Sequence, residues 1–320
     1  MAIDVAKPII DDFIVQTKIG LFCRYGNFYL DPKEPVVNAV ISHAHGDHAV
    51  SGNQHVYCTS ATAKFMELRY RKFAAADFWI KTYQETFELN GVELSFLPAG
   101  HILGSALVLM KYEGVTYLYT GDYKTEEDPT CEPIQLVKAD VLITETTFAD
   151  PATLHPDARL EVEKLNAISS NVMLGAYALG KSQRLISLIN TYCPNKRILV
   201  HHSILPFVRL YEQLGIDVGK YELYDRKVMK NTRTDLVYLV PPMVFHSYIK
   251  AINVVRIFVT GWKHLQHNQT VQLYISDHVD WNAILYTIAQ VSPREVWTTH
   301  GEGTQLRNHF KSKLVVKLLN

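Results

Sequence analysis

No stretch of this sequence approaches the ~20 consecutive apolar residues that cross a bilayer, so no membrane-spanning helix is expected. The N-terminus, Met1-Ala2-Ile3-Asp4-Val5, has no basic region followed by an apolar run, and no signal peptide is visible in it. Cysteine is scarce. Cys23, Cys58, Cys131 and Cys193 lie far apart with no CxxC pair. That spacing argues against a disulfide framework or a structural zinc knuckle and fits reduced thiols in a cytoplasmic protein. Neither sign of charge is in excess, because 32 Lys and Arg balance 32 Asp and Glu. A protein held to nucleic acid by overall charge is thereby disfavoured, although a local basic groove remains compatible. Low-complexity linkers and internal repeats are also missing. What remains is 320 residues with a 48% hydrophobic share, enough for two domains or one with a large insertion.

Against that plain background stands His43-Ala44-His45-Gly46-Asp47-His48. It follows Val36-Val37-Asn38-Ala39-Val40-Ile41, an apolar stretch of strand type. Three imidazoles and a carboxylate in one turn after a core strand need something to offset their desolvation, and a divalent metal does so directly. Imidazole nitrogen and carboxylate oxygen are ligands that zinc prefers, and mixed N/O ligation also suits manganese. Alternate residues 43 and 45 can aim at one ion, with 47 and 48 aimed at a second.

The chain around this turn reads as dense secondary structure. Strand-like runs cover residues 13–23, 36–42, 56–59 and 92–97, and a helix over 61–73 follows Ser60 as N-cap. Residues 106–110 and 115–119 flank Lys111-Tyr112-Glu113-Gly114 as a hairpin, and 140–144 is a further strand. Strand–helix units then follow at 172–176 with 181–192 and 197–200 with 205–214, the rhythm of a parallel sheet. Strands return at 236–240, 254–259 and 273–276. Helix 281–291, strand 295–299 and helix 303–313 close the chain.

Other candidate ligands stand just past such strands. His101 lies in Ala99-Gly100-His101, Asp122 in Thr120-Gly121-Asp122, and Glu145 follows the strand 140–144. His278 lies in Ser276-Asp277-His278 and His300 in Thr299-His300-Gly301. Strand C-termini are where layered α/β sheets build sites. Taken singly each is an ordinary polar residue; their recurrence at strand ends is the signal.

This order of motifs resembles the metallo-β-lactamase fold: HxHxDH, a glycine-flanked His, Gly-Asp after a hairpin, and a final His after a strand. The strings AGHILGSA, TGDYK, ETTF, SDHVDW and THGEG resemble its β-CASP nuclease branch. Residues 22–32, GDYKTEEDPTCEP and Tyr177-Ala178-Leu179-Gly180-Lys181-Ser182-Gln183-Arg184 are similar to the bacterial ligase-associated DNA damage response exonucleases, also labelled mRNA 3′-end processing exonucleases. The resemblance implies an α/β fold, an αββα sandwich with an inserted β-CASP α/β domain. Residues 1–150 would open the sandwich, 151–270 form the insertion and 271–320 close it.

The same resemblance implies two divalent ions, zinc or else manganese. His43, His45 and His101 would hold one and Asp47, His48 and His300 the other, with Asp122 bridging through its two oxygens. It also implies catalytic roles for Asp47, Glu145 and His278, with His278 as general acid or phosphate ligand oriented by Glu145. Lys181 and Arg184 open a helix after a strand, where anions are favoured. With Lys263 beside Trp262, they are the expected nucleic-acid contacts. A DNA ligase and a helicase are the partners the family implies.

Three functions compete. A nuclease on DNA follows from the narrower resemblance. A nuclease on RNA is favoured by His300, since family members acting on DNA often lack a His there. A small-substrate hydrolase is opposed by the insertion and by the Glu145/His278 pair.

Overall fold

A computed structural model describes residues 7–232, 234–247, 254–266 and 271–319. The terminal stretch read above for a leader, residues 1–5, lies outside them. Among the described residues no helix is long and apolar enough to cross a membrane. The four cysteines are all buried as thiols.

The chain divides into two compact units. The first comprises residues up to Glu127, Glu132–Leu154 and His278 onward; the second comprises Asp128–Cys131 and His155–Asp277.

The first unit contains two sheets. Six strands follow one another in sequence order: Ile14–Gln16, Leu21–Cys23, Phe28–Leu30, Asn38–Val40, Asn53–Cys58 and Ala75–Ile80. The first three pair antiparallel and the rest parallel. The other sheet has seven strands, in the order Val315–Leu318, Glu295–Thr299, Val141–Glu145, Val115–Tyr119, Ala106–Tyr112, Val92–Pro98, Thr86–Leu89.

Side-chain alternation decides what each face does. Val40 and Tyr57 of the first sheet join Val108, Tyr117, Tyr119, Ile143 and Trp297 of the second in one core. Their neighbours Ala39, Ile41, Val56 and Cys58 turn the other way, onto Ala63 and Met66 of helix Ser60–Tyr70. Leu107, Leu118, Leu142 and Val296 likewise face Ile284, Ile288 and Val291 of helix Trp281–Val291. The layers are therefore helix, sheet, sheet, helix, the metallo-β-lactamase arrangement.

The second unit is built on an all-parallel five-stranded sheet ordered Glu222–Leu223, Arg197–Val200, Leu236–Val240, Asn171–Gly175, Val254–Phe258. Fully buried strands such as Leu236–Val240 read as continuous apolar runs, as sheets covered on both faces do.

Several expected elements differ. The run 13–23 breaks into two strands at Thr17–Gly20, where Thr17 N–H donates to Gly20 O at 2.9 Å. The Thr17 hydroxyl accepts from the Ile19 and Gly20 N–H groups, both at 3.2 Å. The N-cap of the first helix is Thr59 rather than Ser60, its hydroxyl accepting from Thr62 N–H at 3.2 Å. Strand Ala75–Ile80 carries no alternating pattern, and its pairing with Asn53–Cys58 alone makes it a strand. Helix 303–313 shortens to Thr304–His309. Residues 273–276, expected as a strand, join no ladder among the described residues.

Trp297 is fully buried between the two sheets, with its indole N–H donating to Glu295 at 2.8 Å. Trp297→Ala should cost about 3–5 kcal/mol of stability, the usual penalty for emptying a large aromatic site. Urea unfolding followed by circular dichroism checks this; a midpoint near that of the unchanged protein would place Trp297 outside the core.

Candidate metal centre

The polar turn after strand Asn38–Val40 buries His43 and His48 and half-buries His45, and the first set of ligands converges closely. His45 Nδ1 lies 3.2 Å from His43 Nε2 and 3.0 Å from His101 Nε2. Asp122 Oδ2 lies 3.5 Å from His43 Nε2 and 3.7 Å from His101 Nε2. Tetrahedral bonds of 2.0–2.1 Å separate ligand atoms by about 3.3 Å, so the set fits a divalent metal. Nitrogens this close around a carboxylate oxygen have no comparable use in an apolar core.

The second expected set is looser. His48 Nε2 is 3.3 Å from the same Asp122 Oδ2 and 3.9 Å from Asp47 Oδ2. The His48 and His300 rings lie 5.0 Å apart between centroids. Asp47 is 81% exposed, whereas His48 is buried. Asp122, expected to bridge the two sets, has its Oδ2 within 4 Å of nitrogens from both: His43 and His101 of the first and His48 of the second.

Hydrogen bonds behind the ligands fix which nitrogen faces inward. His48 Nδ1 is 2.9 Å from Asp31 Oδ2, and a carboxylate only accepts, so Nδ1 carries a proton and Nε2 is the nitrogen turned toward Asp122. The Ser42 hydroxyl donates to Asp31 Oδ2 at 2.5 Å and lies 3.0 Å from His43 Nδ1, which frees His43 Nε2 in the same way. Asp31 Oδ1 accepts from Ser42 N–H at 2.7 Å, and Oδ2 also accepts from the Tyr119 hydroxyl at 2.9 Å. Gly121, with φ +52°, lets the Asp122 turn pass Ser42, because a Cβ there would sit 2.5 Å from its hydroxyl oxygen. At the Ala44 carbonyl, Arg69 Nη1 donates at 2.5 Å and holds the turn itself.

The charges are opposed within this small space. Burial, with the neighbouring His48, holds His43 well below its ordinary pKa. Burial also opposes the charged form of His48, but the carboxylates of Asp122 and Asp31 outweigh it and raise its pKa well above normal. Burial would raise Asp122, yet His48, His278 and His43 hold it well below the usual carboxylate range. His300 is exposed at its surface. The surrounding protein still desolvates the ring enough, with help from His48, to lower its pKa.

Glu145 and His278 form a third group with Asp122. His278 Nδ1 is 2.9 Å from Glu145 Oε2 and 3.8 Å from Asp122 Oδ2. Glu145 is completely buried and accepts from Tyr123 N–H at 3.1 Å and from the Thr147 hydroxyl at 2.7 Å. This orients the His278 ring and leaves Nε2 as its second polar edge.

The expected nucleic-acid contacts need a correction. Lys181 and Arg184 are 4% and 2% exposed and are engaged inside the second unit, pairing with Asp277 at 3.3 and 3.2 Å. A phosphate could not reach cations so enclosed. The helix start they open is also occupied, since Gly180 N–H donates to the Gln183 side chain at 2.7 Å. Lys263 and Trp262 are both exposed.

Residues missed in the sequence are those behind the ligands: Asp31, Ser42, Tyr119 and Thr147. Asp31 had a signal of the same kind as the ligands, standing directly after strand Phe28–Leu30. It lacked a ligand motif to mark it.

No family model matches the chain. It is 28% identical over 312 residues to a "Probable DNA ligase" of Opitutus terrae, covering 92% of this chain and 30% of that protein. It is 30% identical over 188 residues to an "RNase J-like protein" of Methanocaldococcus jannaschii, covering 50% of this chain and 45% of that one. It is 34% identical over 119 residues to "Endoribonuclease ysh1" of Aspergillus fumigatus, covering 34% of this chain and 14% of that one. The chain thus spans less than half the length of each of these relatives. In fold it is similar to a protein of unknown function from Enterococcus faecalis V583, with a TM-score of 0.59 at 13% identity over 87% of this chain and 78% of that one. The relatives bear out the resemblance: the chain is related to the β-CASP nucleases of the metallo-β-lactamase fold.

Asp31→Ala should leave the fold in place and weaken metal retention by about 10–100-fold, the usual effect of losing a carboxylate behind a ligating histidine. Competition with a chromogenic chelator measures this; unchanged affinity would remove Asp31 from the centre.

Proposed function

We propose that this chain is a metal-dependent phosphodiesterase acting on nucleic acid, in the form of a DNA-repair exonuclease. The observation that carries the reading is the convergence of His43 and His101 of the first set, His48 of the second and His278 on one oxygen, Asp122 Oδ2. His43, His45 and His101 would hold one divalent ion, and Asp47, His48 and His300 a second, with Asp122 shared. Two such ions would supply the positive charge needed to activate water and neutralise the scissile phosphate at neutral pH. Zinc is the first candidate from the nitrogen-rich set, and manganese the alternative where oxygen ligands dominate.

The chain's own residues account for the remaining work. Asp31 and Ser42 keep His48 and His43 in the tautomers that face inward. Glu145 holds His278 Nδ1, so Nε2 can carry the proton that the leaving oxygen needs. The 155–277 unit is read as the β-CASP insertion. Its exposed Lys263 and Trp262 remain candidates for gripping a nucleic-acid backbone by charge and stacking.

DNA is favoured because the ligase-titled relative matches 92% of this chain, against 50% and 34% for the RNase J-like protein and endoribonuclease ysh1. That match occupies 30% of a longer polypeptide, which supports a ligase as a functional partner. A helicase rests on the family resemblance alone. The RNA reading has its own support in His300 beside His48 and in the names of the shorter matches.

The purified protein should carry close to two divalent ions per chain and cleave labelled DNA faster than RNA, with activity lost in chelator. Elemental analysis and side-by-side cleavage assays check this. Metal-free protein with full activity would end the metal reading, and preferential RNA cleavage would transfer the activity to RNA.

His278→Ala should retain both metals but slow cleavage by about 10²–10⁴-fold, the range for a lost general acid. Loss of one metal equivalent would instead make His278 a ligand.

A further inference from the structure

Lys181 and Arg184 are buried cations that the proposed chemistry does not use. We propose that they are positioning residues for His278: together they clamp the backbone of residues 275–277, from which His278 projects to Glu145. The inference rests on the role given to His278 above.

The backbone just before His278 is unusual. Residues 273–276 are apolar enough to read as a strand, yet join no ladder among the described residues. Side chains take over part of the ladder's work. Lys181 Nζ donates to Ile275 O at 2.6 Å, and Arg184 Nη1 donates to Ser276 O at 2.7 Å. Both cations then reach the next side chain, with Lys181 3.3 Å from Asp277 Oδ2 and Arg184 3.2 Å from Asp277 Oδ1. Three consecutive residues are thus fixed by two cations on one helical turn, and one peptide bond separates Asp277 from His278.

Arg184 also lies 3.5 Å from Asp128, so it meets a buried carboxylate there as well as at Asp277. Asp128 belongs to the short segment Asp128–Cys131 that follows Asp122 in the chain and packs in the second unit.

Stability does not explain this placement. Helix Lys181–Tyr192 is already seated by Leu185, Ile186, Leu188 and Ile189. Buried ion pairs are often matched or bettered by apolar residues of similar volume. A planar guanidinium and a long ammonium arm do what apolar residues cannot, which is to hold carbonyls and a carboxylate at set points.

The test is a double-mutant cycle on the full metal-loaded chain. Arg184→Gln should lower kcat by about 10²-fold, as a misplaced catalytic group does, with KM and metal content near normal. In the His278→Ala background the same change should cost less than about threefold. Arg184→Lys should recover part of the loss. An equal loss in both backgrounds would overturn the proposal and leave the network purely structural. If Arg184→Gln does not fold, Lys181→Gln, which frees only Ile275 O and one Asp277 oxygen, takes its place in the cycle. A second readout needs no turnover: the downfield imidazole proton of His278 bonded to Glu145, identified by its loss in His278→Ala. It should move or broaden in Arg184→Gln, and an unchanged resonance overturns the proposal. Absence of cleavage by the unaltered protein would sink the nuclease reading separately, leaving this resonance to decide the positioning role.

Discussion

Asp31 places one buried carboxylate among four donors: Ser42 N–H, the Ser42 hydroxyl, His48 Nδ1–H and the Tyr119 hydroxyl. Ser42 and His48 follow strands of the first sheet, and Tyr119 ends a strand of the second. The same carboxylate therefore ties the two layers together and aims the ligands. It adopts φ +43°, a conformation that Asp tolerates better than most residues because its short side chain bonds locally. Without that charge, the lone pairs of His43 and His48 would have no fixed direction, and the convergence on Asp122 would be one arrangement among several.

The electrostatics of the centre follow from putting many ligands where water is scarce. Imidazoles so close disfavour one another's charge, as at His43, while carboxylates favour it, as at His48. Such a cluster is costly by itself, because the charges cannot all be satisfied at once in a low dielectric. A bound cation would resolve the conflict by favouring neutral imidazoles and ionised carboxylates around it. Gly121 and Gly301 serve the same crowding. At Gly301, with φ +145°, a Cβ would meet the Thr146 carbonyl at 2.4 Å, so only glycine lets the turn after His300 lie against the strand end beside Glu145.

The second unit uses charge for a different purpose. In the sequence Gly180-Lys181-Ser182-Gln183-Arg184 looks like a phosphate-gripping helix start, because Gly and Lys at a helix N-terminus favour anions. Folding encloses both cations and spends them on carbonyls and on Asp277 and Asp128. Nothing in the local pattern separates these outcomes. The difference is made by residues far away in the chain, those whose carbonyls are used lying 92 and 94 positions from Arg184 and Lys181.

The sequence alone determined the ligand residue types, their order and their place after strands. Those follow from local rules: apolar runs make strands, and polar residues at their ends need a partner. The hairpin at 106–119, helix Lys181–Tyr192 and strand Leu236–Val240 were legible for the same reason. Tertiary structure alone decided that one oxygen of Asp122 faces both sets, that Asp31 stands behind them, and that Ala75–Ile80 is a strand while 273–276 joins no ladder among the described residues. Each of these depends on groups brought together across long stretches of chain, where distance and burial, rather than neighbouring residues, set what a side chain can touch.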